Sequence, residues 1–122
     1  MQLNSFNMKP PSNLRNPGMI QCTCIVQQDQ AADRNRHTMH NALQQFVNDA
    51  FKSRAQITWI PVTAGDGFTA AKPSTASIVS MTAPTPLSPS RRKSLLRRLA
   101  ALWRTSSGCG INEIVAVITD PT

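Results

Sequence analysis

Residues 76–119 read ASIVSMTAPTPLSPSRRKSLLRRLAALWRTSSGCGINEIVAVIT. The first segment, 76–82, has the β-branched residues that are typical of a strand. A helix is predicted to follow, from about residue 90 to residue 106, because apolar side chains recur there at helical spacing. These side chains are Leu95, Leu96, Leu99, Leu102 and Trp103. The final segment, 113–119, predicts a second strand, so the stretch forms one strand–helix–strand unit.

Both ends of this helix are marked by residues with known positional preferences. Ser88 is a preferred N-cap residue, and Pro89 suits the first helical position. Gly108 predicts the helix end, because glycine tolerates the left-handed conformation that closes many helices. These residues together predict where the second helix begins and ends.

The first half of the chain predicts the same order of elements. Residues 19–27, MIQCTCIVQ, alternate between two faces as a strand does. An apolar stripe at helical spacing over residues 39–51 predicts a helix. Residues 56–63, QITWIPVT, predict a strand in which Pro61 marks an edge, a bulge or the strand's end. A glycine-containing turn, residues 64–67, and a loop or short hairpin arm, residues 68–75, then join the halves, which repeat at an offset of roughly 57 positions.

Two α+β folds fit this order, and the pattern alone does not separate them. One is the ferredoxin-like βαββαβ fold, with a largely antiparallel sheet. The other is the tautomerase fold, with two parallel βαβ units. Right-handed crossovers place both helices on one sheet face, which leaves the other face bare. Because segment 113–119 is apolar on both faces, we expect a second copy of the chain to cover it.

Residue detail favours the second fold. Residues 54–81, RAQITWIPVTAGDGFTAAKPSTASIVSM, and 86–121, PLSPSRRKSLLRRLAALWRTSSGCGINEIVAVITDP, resemble the second two-thirds of a tautomerase-superfamily subunit. The resemblance is to the macrophage migration inhibitory factor (MIF) and cis-3-chloroacrylic acid dehalogenase-like groups. It implies two βαβ units in a four-stranded mixed sheet, two helices on one face, and a homotrimer. It also implies an isomerase that acts on small keto or enol carboxylic acids without a cofactor.

The chemistry of that superfamily rests on a proline at the mature N-terminus, whose free amine carries the proton. This sequence begins Met1-Gln2 instead, and the nearest proline before the first strand is Pro17. A proline nitrogen in a peptide bond has no basicity. Pro17 is therefore a catalytic candidate only if cleavage between Asn16 and Pro17 frees its amine.

Three cationic residues are candidates for holding a substrate carboxylate. Arg54 follows the first helix, where superfamily members place a cationic site residue. Lys72 follows a glycine-containing turn that could present hydrogen-bond donors. Arg92 falls within the apolar arc of the second helix, so its side chain is predicted to lie towards the sheet.

No metal site is predicted. Cys22, Cys24 and Cys109 could suggest zinc together with His37 and His40, but their spacing matches no known ligand signature.

Composition sets the outer limits of the interpretation. The chain has 122 residues, which we divide into a flexible tail, 1–18, and one domain, 19–122. Thirteen Lys and Arg against six Asp and Glu give a net charge of +7, which favours anionic partners. The alternative function is therefore a non-catalytic binding or assembly module, with nucleic acid as one such partner. The lack of Tyr argues against base stacking on the sheet.

Three cysteines, no apolar run at the start and no membrane-length segment predict a cytoplasmic protein.

Overall fold

The computed structural model describes residues 19–31 and 33–122. The predicted tail and Pro17 lie outside the described residues. The two main helices are α1 (Asp33–Phe51) and α2 (Pro89–Ser107), and short 3-10 turns span Gln28–Ala31 and Ile111–Glu113. The strands are β1 (Met19–Gln27), β2 (Arg54–Val62), β3 (Phe68–Thr69), β4 (Lys72–Pro73), β5 (Ser77–Thr82) and β6 (Ile114–Thr119).

Four of these strands form one mixed sheet in the order β2-β1-β5-β6. β1 is parallel to β2 and β5 is parallel to β6, so each helix connects a parallel pair. The two pairs join where β1 lies antiparallel to β5, with Cys24 opposite Val79. Two parallel βαβ units side by side are the predicted tautomerase arrangement. The parallel helix-linked pairs exclude the largely antiparallel sheet of the ferredoxin-like alternative.

The core lies between the sheet and the two helices, which pack on the same face. Alternate residues of β1 point into it, and α1 and α2 cover them with their apolar stripes. The buried side chains include Ile20, Cys22, Cys24, Val26, Met39, Leu43, Phe46, Val47, Leu95, Leu99 and Trp103. Burial raises the pKa of both the Cys22 and Cys24 thiols to about 12, so these cysteines are unreactive core residues.

The boundaries of α2 match the residues that predicted them. The Ser88 hydroxyl accepts a hydrogen bond from the backbone N–H of Arg91 at 3.2 Å. Pro89 occupies the first turn, and Gly108 closes the helix with φ +80°. The prediction for this helix is confirmed to within one residue at each end.

The sheet face opposite the helices carries none of the described elements. Ile60, Ile25, Ile78 and Val115 lie in register there and form an apolar row across all four strands. We call these four residues the open-face row. Val115 is 47 % exposed and Ile60 is 43 % exposed. The expectation that β6 is covered on both sides is therefore not met within one chain, because its outward side chains face solvent.

The two edges of the sheet differ. At the β2 edge, the Gln44 side chain of α1 donates to the Ala55 carbonyl and accepts from the Ala55 N–H, both at 2.8 Å. Pro61 lies in the same strand, at the edge predicted for it. At the other edge, β6 pairs only with β5 among the described strands.

Neither of the two main helices, nor any other helix in the described part of the chain, combines the length and apolar character that a membrane crossing needs.

Candidate functional site

Four elements meet at one end of the sheet, where four cationic residues lie: Lys52, Arg54, Arg91 and Arg92. β1 begins there at Met19, and the parallel register places Arg54 of β2 beside it. α1 ends at the same place, because a βαβ crossover returns the chain to the start of the next strand. α2 also begins there, since β5 runs antiparallel to β1. We call this region the β1-start end.

Lys52 and Arg54 reach this end through the turn that closes α1. The backbone N–H of Lys52 donates to the Asn48 carbonyl at 3.0 Å, and Lys52 adopts a left-handed φ of +54°. The next residues turn the chain into β2, whose first residue is Arg54. Arg54 is exposed and borders a shallow polar depression of about 470 Å³ between α1 and β2. Within the described residues, its guanidinium has no hydrogen bond or ion pair.

Arg91 has a structural role at the same end. Its Nη2 donates to the carbonyl of Ala50 in the last turn of α1, at 2.8 Å. A cation at a helix C-terminus interacts favourably with the helix dipole. Arg91 therefore ties the start of α2 to the end of α1.

Arg92 is half-buried, as its place in the apolar arc predicts, and it is fully engaged. Its guanidinium donates to the carbonyl of Ile118 at 2.5 Å and pairs with the Asp120 carboxylate at 2.5 Å. A longer contact of 3.4 Å reaches the carbonyl of Leu87. The hydrogen bond from Arg92 lowers the pKa of the Asp120 carboxyl, and the Leu87 N–H adds to this effect. A substrate carboxylate would have to compete with Asp120 for Arg92.

Lys72 lies at the other end of the sheet. It belongs to the β3–β4 hairpin, which follows the last residue of β2 and precedes β5. The length of β1 alone separates the two ends by about 25 Å. Lys72 and Arg54 therefore do not meet within one chain.

The remaining candidates do not form a chemical cluster. Among residues 19–31 and 33–122, no three His, Cys, Asp or Glu side chains are placed to hold a metal ion together. His37 and His40 of α1 border a depression that Trp59 also lines, whereas Cys22 and Cys24 are buried in the core.

Sequence reasoning did not identify Asp120 as a site residue. The signal was available, because Asp120 follows β6 directly and Arg92 lies in the first turns of α2. Parallel β5 and β6 bring these two positions to the same end of the sheet. A second feature that was missed is a groove between α2 and β6.

No family model matches the sequence, and no curated protein sequence matches it either. Solved structures do match the fold. A member of the cis-3-chloroacrylic acid dehalogenase family, N1, superposes with a TM-score of 0.74 at 9 % identity, over 83 % of this chain and 74 % of that one. A fused 4-OT wild-type asymmetric trimer gives a TM-score of 0.73 at 12 % identity, over 83 % and 85 %. The chain has the tautomerase fold.

A third match extends the likeness to the other group named from the sequence. MIF2 of Leishmania major gives a TM-score of 0.63 at 16 % identity, over 84 % of this chain and 87 % of that one. These superpositions establish the tautomerase fold. Because the sequence identities are low, the chemistry has to be argued from the residues themselves.

Proposed function

We propose that this chain is a tautomerase-superfamily protein that binds a small keto or enol carboxylic acid at the β1-start end. The observation that carries the proposal is the register pair of Met19 and Arg54. This pairing brings Arg54, whose side chain is exposed, beside the first residue of β1. Arginine suits a carboxylate because its planar fork can donate two parallel hydrogen bonds.

Proton transfer is assigned to Pro17, two residues before β1. A free α-amine titrates near 8, and neighbouring cations disfavour its protonated form. Lys52 and Arg54 lie at the β1-start end and would lower the pKa of this amine towards neutrality, where a base transfers protons well. The proposal requires cleavage between Asn16 and Pro17, because the peptide-bonded nitrogen has no basicity.

The three cationic candidates then take different roles. Arg54 holds the substrate carboxylate. Arg92 stays bound to Asp120 and keeps α2 in place. Lys72 contributes only from a neighbouring copy, because about 25 Å of sheet separates it from Met19 in its own chain.

A homotrimer is part of the proposal. The open-face row is apolar and crosses the whole sheet, and a soluble chain gains free energy by covering such a surface. Solved structures with the same fold include 4-OT trimers. These observations support closure by further copies of the chain.

The alternative is a non-catalytic module for an anionic partner such as nucleic acid. The observation that favours it is the charge of α2, which contains no acidic residue. Its cations are Arg91, Arg92, Lys93, Arg97, Arg98 and Arg104. Phosphate contacts from such a helix would make binding strongly dependent on salt.

The decisive experiment compares two proteins, the full chain and a chain that begins at Pro17 after removal of a cleavable leader. The assay is enol–keto interconversion of phenylpyruvate. We expect turnover only from the chain that begins at Pro17, and loss of turnover when Pro17→Ala is introduced into it. Arg54→Gln should raise KM about tenfold or more with a smaller effect on kcat, because it removes a charge-assisted contact.

Arg104→Gln is the matched control, since it removes one exposed arginine far from the β1-start end. Failure of the Pro17-starting chain to turn over phenylpyruvate and a hydroxydienoate would reject catalysis. Salt-dependent nucleic-acid binding by the full chain would then support the alternative.

A further inference from the structure

A groove of about 530 Å³ runs between α2 and β6, on the outer side of the helix. Its floor consists of Leu87, Leu96, Ala100 and Ala116, and its rim carries Lys93 and Arg97. The volume falls within the roughly 300–1,000 Å³ that is usual for small-molecule sites. The groove uses neither Pro17 nor Arg54, so it is separate from the site proposed above.

The floor of the groove is aliphatic. Leu87, Leu96 and Ala116 are half-buried and pack against the core from its edge. None of the residues that line the groove is aromatic. Such a surface favours an alkyl chain over a planar ring, because it offers dispersion contacts and no stacking partner.

The rim has uncompensated positive charge. Lys93 and Arg97 are exposed and one helical turn apart, where like charges repel each other. Within the described part of the chain, neither side chain makes an ion pair or a hydrogen bond. Asp120, the acidic residue at this end of α2, is already paired with Arg92. An anion between Lys93 and Arg97 would relieve the repulsion.

The local charge of the rim disfavours a second copy of the chain as the occupant. A copy that packed the same face here would bring its own Lys93 and Arg97 towards this rim. Repulsion therefore disfavours self-association through the groove, in contrast to the uncharged open-face row.

We propose that the groove binds an amphipathic anion, with an alkyl chain on the floor and one anionic head group between Lys93 and Arg97. Fatty carboxylates and alkyl phosphates share this chemistry. Lysine and arginine recognise both head groups, so the floor sets the preference for the alkyl chain. Arg92 shapes the upper wall and is held there by Asp120.

Calorimetric titration of the full chain tests the proposal. The ligands are octanoate, decanoate and dodecanoate below their micelle concentrations, with decyl phosphate and decanol as head-group variants. Affinity should rise about fourfold for each methylene group that the floor buries. Decanol should bind at least about tenfold more weakly than decanoate, since a charge-assisted contact is lost. The tighter of decanoate and decyl phosphate identifies the head group.

Three variants give the proposal its controls. The double variant K93Q/R97Q should lower decanoate affinity about tenfold or more. Arg104→Gln, which removes the same charge from α2 outside the groove, should leave the affinity unchanged. Ala100→Glu places a carboxylate on the floor and should abolish decanoate binding, with circular dichroism confirming that the variant is folded.

Other outcomes would overturn the proposal. One is the absence of decanoate binding by the full chain. Another is equal affinity in the K93Q/R97Q and R104Q proteins, which would mean that the rim does not hold the head group. Dissociation of an oligomer by Ala100→Glu would show that the groove is a subunit interface instead.

Discussion

Trp103 donates its indole Nε1–H to the hydroxyl of Ser77 at 2.8 Å, and both side chains are buried. The pair joins α2 to the first residue of β5 inside a largely apolar core. On the sheet side, Trp59 of β2 stacks near Trp103 with 6.3 Å between the ring centroids and 17° between the ring planes. A single polar contact thus fixes the orientation of the largest side chain in the core.

Removing the Trp103–Ser77 hydrogen bond should destabilise the folded protein. Ser77→Ala leaves the buried indole N–H without an acceptor, so we expect the free energy of unfolding to fall by about 1–3 kcal/mol. Urea denaturation followed by circular dichroism measures it. Ser80→Ala, on the same strand but half-buried on the open face, is the control and should change stability much less. Equal losses in the two variants would contradict a specific role for the Trp103–Ser77 bond.

The Arg92–Asp120 pair predicts a pH-dependent stability. Folding lowers the pKa of Asp120, first through the hydrogen bond from Arg92. Its stabilising effect is therefore complete above the usual aspartate value of about 3.9 and is lost as the pH falls through the lowered pKa. Asp120→Asn should lower Tm at pH 7, and the difference from the parent chain should vanish in strong acid.

Asp66→Asn is the matched control for this prediction. Asp66 is exposed in the turn after β2. Its backbone N–H donates to the Thr63 carbonyl, and within the described residues its carboxylate makes no hydrogen bond or ion pair. Its substitution should leave the Tm–pH curve unchanged. A constant Tm difference between D120N and the parent chain from pH 7 to pH 2 would reject the ion pair as its source.

The open-face row predicts an assembly defect that leaves the subunit folded. Val115→Glu places a charge on the surface that the proposed trimer buries, so sedimentation velocity should show a monomer with an unchanged circular dichroism spectrum. Ile111→Glu is the control, because Ile111 is also 47 % exposed but lies outside the open-face row. A parent chain that is already monomeric, or an oligomer that survives Val115→Glu, would contradict the proposal.

The β3–β4 hairpin contains a turn that glycine would improve. Ala70 and Ala71 have φ values of +52° and +63°, in the left-handed region where a Cβ is unfavourable. Ala71→Gly removes this strain but increases the conformational entropy of the unfolded chain, which opposes part of the gain. We expect a net rise in the free energy of unfolding of about 0.5–1 kcal/mol. Thermal unfolding is the measurement.

Ala76→Gly controls for this substitution. Ala76 precedes β5 without a positive φ, so glycine there should destabilise the chain. Destabilisation by both variants would show that the turn at Ala71 is not strained in solution.

The sequence predicted those parts of the fold that depend on local chemistry. Ser88, Pro89 and Gly108 mark the ends of α2 through contacts within a few residues, and each lies where predicted. The tight hairpin turn could not be found in this way. Alanine is not typical of turns, so Ala70 and Ala71 did not predict it. The glycines Gly65 and Gly67 instead predicted a turn a few residues earlier in the chain.

Site residues were harder to predict, because their partners are distant in the sequence. Helical periodicity placed Arg92 correctly on the inner side of α2. It could not show that Asp120, 28 residues away, already occupies the guanidinium. Lys72 and Arg54 were grouped by charge, and only the strand directions show that they lie at opposite ends of the sheet. Leu96 was placed in the apolar arc of α2, where it packs against the core, and its partly exposed side chain also lines the groove.

The amide of Gln44 has a consequence for how this protein behaves at high concentration. It fills the outward backbone positions of Ala55, and Pro61, with no N–H to donate, further weakens the same edge. A fibre grows by edge-to-edge strand pairing only if both edges of the sheet in each copy are free to pair with neighbouring copies. The β2 edge is interrupted near both of its ends, so β6 is the edge of the four-stranded sheet that another strand could join. Pairing of β6 with β6 of a second copy would leave no further β6 edge, so it stops at a dimer. By occupying the backbone of Ala55, the Gln44 side chain disfavours the open-ended addition of strands at the β2 edge.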